Sequence, residues 1–74
     1  MIIRTQANQL IDMSGCMVRR VDQPLPSILL LSVRDAVEGV GSLMLYNGTT
    51  AEADAKFAAL IAAVLAEDTY FSMI

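Results

Sequence analysis

Apolar residues in the first half of the chain come in short runs broken by polar or turn-forming residues, a spacing that suits strands better than helices. Ile2-Ile3 and Gln9 to Met13 are two such pieces, and Ser14-Gly15 supplies a turn before a third, Cys16 to Val21, which is rich in β-formers. Asp22-Gln23-Pro24-Leu25-Pro26 follows. Proline lacks the amide a sheet ladder needs and restricts the residue before it, so this segment is expected to be a loop. Ser27 to Arg34 (SILLLSVR) is the best candidate for a central strand. Its alternation places Leu29, Leu31 and Val33 on one face, expected to be the core face, and Ile28 and Leu30 on the other. Asp35 to Ser42 reads as a long hairpin loop. Leu43 to Tyr46 resumes the alternation, with Leu43 and Leu45 expected to face the same core, and Asn47-Gly48 ends it with a dipeptide that tolerates positive φ.

The period then changes. Thr49 to Glu52 spells T-T-A-E, a capping box in which the Thr49 hydroxyl accepts from the Glu52 amide and the Glu52 carboxylate accepts from the Thr49 amide. Glu52 and Asp54 also put negative charge in the first turn, where the helix dipole favours it. From Thr50 to about Glu67 the apolar residues Ala53, Phe57, Leu60, Ile61 and Val64 recur at intervals of three and four and define the expected core face of one long helix. With a step of about 100° per residue, the opposite face collects Ala55, Ala59, Ala62 and Ala66, where a surface helix ordinarily carries Lys and Glu. Thr69 to Ile74 (TYFSMI) is β-prone and short. It suits either an edge strand or aromatics packed on the helix, and the pattern leaves both open. The expected fold is a single α+β domain spanning residues 1–74: an antiparallel meander of four or five short strands, covered by one helix in the C-terminal half.

Composition sharpens this in one respect. A chain of 74 residues holds one core, and 55% of its residues are hydrophobic, with a mean hydropathy of +0.55. That is more apolar surface than a domain of this size is expected to hide, so part of it is expected to meet another protein, either a second copy or a different partner. Cys16 is the only cysteine and there is no histidine, which excludes an intramolecular disulfide, a zinc finger or a His-based metal cage. Five Lys and Arg against eight Asp and Glu give a net charge of −3, unfavourable for a phosphate backbone unless the cations cluster. Arg4, Arg19, Arg20 and Arg34 are the residues a nucleic-acid-binding alternative would have to gather on one face of the sheet. Arg19 and Arg20 are neighbours, and on a strand neighbours point to opposite faces.

Met13-Ser14-Gly15-Cys16 has the small residues of a lipoprotein cleavage site, but the preceding TQANQLID, Thr5 to Asp12, lacks the apolar stretch such a signal requires. The longest apolar run, Phe57 to Ala66, is about half of the roughly 20 residues that cross a bilayer. A soluble, cytoplasmic protein is expected, and a lone thiol suits a reducing compartment.

Candidate chemistry is sparse. Cys16 has no histidine to act as its base and is expected to be structural. Asp35 with Glu38 falls in a loop, and Glu52 with Asp54 is explained by capping and the helix dipole. Gly39-Val40-Gly41 lacks the third glycine and the lysine of a phosphate loop, and a strand rather than a helix follows it. Asn47-Gly48-Thr49 matches a glycosylation sequon, but turn and cap explain it fully. No catalytic group, metal or cofactor is expected.

Met1-Ile2-Ile3-Arg4-Thr5-Gln6, the strand Leu43-Met44-Leu45-Tyr46, the T-x-x-x-A opening from Thr49 to Ala53 and the aromatic pair Tyr70-Phe71 together resemble a group of short, uncharacterised bacterial proteins, often phage- or mobile-element-associated. The resemblance covers nearly the whole chain and implies no established activity or site residues. The expectation is therefore a non-enzymatic interaction or oligomerisation module whose candidate interface is Ala55, Ala59, Ala62 and Ala66. A nucleic-acid-binding regulator is the alternative.

Overall fold

A computed structural model describes residues 1–32 and 42–74. The protein is α+β, with six strands in two three-stranded sheets and one helix in the C-terminal half among the described residues. Strands β1 (Ile2–Arg4), β2 (Leu10–Asp12) and β6 (Tyr70–Ser72) form the first sheet in the order β2-β1-β6. Strands β3 (Cys16–Val21), β4 (Ser27–Ser32) and β5 (Leu43–Asn47) form the second in the order β3-β4-β5. Helix α1 (Thr50–Leu65) packs on β3 and β4. Val33, Arg34 and residues 35–41 of the expected Asp35 to Ser42 hairpin loop, with its Gly39-Val40-Gly41, lie outside the described residues.

Turn chemistry divides the strands. Asn8 adopts φ 64° in the β1–β2 connection, where the Thr5 amide donates to Gln9 O at 2.7 Å and the Asn8 amide to Thr5 O at 2.9 Å. This is a type I turn followed by a left-handed residue, a position that asparagine tolerates. In the β2–β3 turn the Cys16 amide donates to Met13 O at 3.0 Å, with Gly15 at φ 73° in the third position, as a type II turn requires. Gly48 differs from expectation. Its φ is not in the left-handed region, and its need for glycine is spatial, since an added Cβ would lie 3.2 Å from Glu52 Oε1 and 3.3 Å from both Cε1 and the hydroxyl oxygen of Tyr46.

The C-terminal segment is a strand, and it pairs with β1 in parallel, Ile3 opposite Phe71. The Ile2 amide donates to Thr69 O at 2.8 Å, and the Met73 amide to Arg4 O at 2.9 Å. The two ends of the chain are thereby joined in one sheet. Gln6 bridges the sheets: its amide donates to Leu45 O, while its side chain donates to Asn47 O and accepts from the Asn47 amide at 2.9 and 3.0 Å. A side-chain amide here takes the part of a neighbouring peptide group.

The core lies between the sheets and the helix, built from Ile3, Ile28, Leu30, Leu45, Tyr46, Ala53, Leu60 and Met73. On β4 this corrects the expected face. Ile28 and Leu30 point inward, and Leu29 and Leu31 are only half-buried. Both faces of this strand are apolar, so alternation defines two sets without saying which is covered. On β5, Leu45 and Tyr46 are consecutive and both buried, whereas Leu43 is exposed. The pairing explains the consecutive burial: Ile28 lies opposite Tyr46 and Leu29 opposite Met44, leaving Leu45 as the extra residue of a bulge, while Leu43 lies opposite Leu30 and is still exposed.

Helix α1 begins with the expected cap. The Glu52 amide donates to Thr49 Oγ1 at 3.1 Å and the Thr49 amide to Glu52 Oε1 at 3.0 Å. The Thr49 amide first, and then the Thr49 hydroxyl, hold the Glu52 carboxyl below its ordinary value of 4.5. A depressed carboxylate pKa contributes stability above the unfolded value, and that contribution is lost as pH falls through the folded value. The urea midpoint is therefore expected to drop on acidification below about pH 4.5, with a shallower drop in Glu52→Gln, which removes the titrating group. Equal slopes in the two proteins would show that this cap does not contribute to the acid limb.

The helix ends two residues before the expected Glu67. Ala66 is the C-cap, the Glu67 amide donates to Val64 O at 3.1 Å and the Asp68 amide to Ala63 O at 3.0 Å. This is a Schellman motif whose left-handed position, φ 59°, is held by Glu67 rather than glycine. Glu67→Gly is expected to stabilise the protein by about 1 kcal/mol. The urea midpoint should rise at constant slope, and a fall would refute the assignment.

A candidate interaction face on the helix and its edge strand

Every residue from Phe57 to Ala66 is apolar, so α1 is hydrophobic all the way round over its second half. Such a helix is expected to be surrounded by protein. Here it covers sheet on one side only. Ala53, Leu60 and Ala63 are buried and Phe57 half-buried against β3 and β4, whereas Ile61 and Val64, expected in the core, are each 43% exposed and Leu65 is 80% exposed. The reason is the position of β3. It is the edge of its sheet, and the side of the helix bearing Ile61, Val64 and Leu65 reaches past that edge.

Arg20 fixes the helix over the strand. Its Nε lies 3.0 Å from Asp54 Oδ1 in the helix and its Nη2 3.0 Å from Asp22 Oδ1, while Nη1 donates to Val21 O. Farther along, Met13, Cys16, Met17 and Val18 form one wall of an open groove, and Leu60, Ile61, Val64 and Leu65 form the other, around a volume of about 230 Å³. The lining is aliphatic or sulfur-bearing throughout. Cys16, half-buried, has only a long contact to Ser14 O, at 3.8 Å. The arrangement is suited to apolar contact, and no cluster of three or more His, Cys, Asp or Glu able to hold a metal occurs among the described residues.

Ala55, Ala59, Ala62 and Ala66 are all exposed. Ala55 and Ala59 border a shallow depression with Tyr46, Glu52 and Lys56, and the Lys56 ammonium sits 6.0 Å from the Tyr46 ring centroid, a cation–π contact. About 100° per residue places Leu65 and Ala58 between Ile61 and the alanine stripe, so stripe and groove wall are continuous. The sequence pattern missed Leu65, Met13, Cys16 and Met17 as parts of this face. Leu65 had a signal, lying four residues after Ile61, but in an all-apolar segment the helical period cannot choose a side.

The arginines are dispersed. Arg4 stands on β1 opposite Leu10 and Ser72, with its neighbours Ile3 and Thr5 turned into the core. Arg19 is exposed on β3, on the face opposite Arg20, which is engaged by Asp22 and Asp54. Arg34 lies outside the described residues. Elsewhere on the surface, the Ser14 amide and then its hydroxyl, at 3.0 and 2.8 Å from Asp12 Oδ1, hold the Asp12 carboxyl below its usual range. That is the electrostatics of a tight turn.

Among the described residues no helix is long and apolar enough to cross a membrane. The chain matches no family model, no curated protein and no solved structure.

Proposed function

We propose that this protein is a small, non-enzymatic interaction module that associates with a second copy of itself through the apolar side of α1 and the adjoining edge of β3. One observation carries the reading: a helix apolar around its whole circumference from Phe57 to Ala66 is covered by the described residues on one side only. The face is also shaped to meet its own image. Leu65 projects at 80% exposure beside a groove lined by Met13, Cys16, Met17 and Val18. In a two-fold dimer each copy would supply both the projection and the recess. The contact extends over Ala55, Ala59, Ala62 and Ala66, whose small side chains let another backbone approach closely. The proposed setting is the cytoplasm, where the thiol of Cys16 stays reduced.

Light scattering after size-exclusion chromatography tests the reading. The expected mass is twice the 8.0 kDa of the chain at high micromolar concentration. Leu65→Lys, which places a charge at the centre of the contact without touching the core, is expected to return the protein to a monomer with unchanged circular dichroism. A wild-type monomer at that concentration overturns self-association. The nucleic-acid alternative has less support, because Arg20 already spends its charge on Asp22 and Asp54.

A further inference from the structure

We draw no further inference here: the strongest candidate, the Met13, Cys16 and Met17 side chains on the β3 wall of the groove, belongs to the apolar face already described and rests on a lone thiol with no second observation that points to a bound ion or ligand.

Discussion

Replacing Met73 by alanine is expected to lower the free energy of unfolding by about 2–5 kcal/mol, the range for truncating a buried methionine, out of the roughly 5–15 kcal/mol that stabilises a typical domain. Met73 is 1% exposed, and its amide donates to Arg4 O, so the side chain fills the core while the backbone extends the β1–β6 pairing. Removing residues 70–74 altogether has a larger expected effect. It deletes β6, withdraws Phe71 from beside Ile3, and leaves β1 paired only with the three-residue β2. A two-stranded ribbon of that length is not stable alone, and the buried Ile3 and Thr5 would lose their cover. Chemical denaturation followed by near-ultraviolet circular dichroism is the measurement. A truncated chain that keeps a cooperative transition within about 1 kcal/mol of the full chain would show that the first sheet does not depend on β6.

Leu60 and Leu65 offer the second large contrast, because they are the same residue about 1.4 turns apart on one helix. Leu60 is 0% exposed and touches both the core and the floor of the groove, whereas Leu65 is 80% exposed. Leu60→Ala is expected to cost about 2–5 kcal/mol through lost burial and the cavity left behind. Leu65→Ala, at protein concentrations low enough to be monomeric, is expected to stay within about 0.5 kcal/mol of wild type. At high concentration the proposed self-association predicts a difference in kind: Leu65→Ala would lose the stabilisation that a dimer confers on the folded state, and its midpoint would no longer rise with protein concentration. Equal costs at the two positions would mean that Leu65 is covered within the monomer and that the exposed face has been wrongly placed.

Much of the fold is legible along the chain because it depends on neighbours in sequence. Cys16–Val21 is a strand with the expected bounds, the Pro24–Pro26 segment interrupts the sheet, and Thr49 caps the helix with Glu52 as the T-T-A-E pattern requires. The α+β class follows from the change of period between the two halves. Two properties of particular residues were not legible. On β4, Ile28 and Leu30 compete with Leu29 and Leu31 for the core, and nothing within the strand distinguishes them. On β5, the bulge at Leu45 lets two consecutive residues, Leu45 and Tyr46, face the core, and Leu43, although paired with Leu30, stays exposed.

The candidate face divides in the same way. An excess of apolar surface on the second half of the helix is written in the run from Phe57 to Ala66, and the exposed alanines Ala55, Ala59, Ala62 and Ala66 follow from the helical period. Which of the larger side chains join them was decided only when α1 came to rest over β3 and β4 with β3 at the sheet edge, leaving Ile61, Val64 and Leu65 beyond the strand. The sequence by itself determined most of the strands, the helix and its N-terminal cap, since these are set by contacts within about four residues. The tertiary structure alone decided that the strands split into two sheets, that β6 returns to pair in parallel with β1, and that the described residues leave open one side of the helix's all-apolar second half. Each depends on which distant segments compete for the same surface, a choice made by packing between elements and not by any one of them.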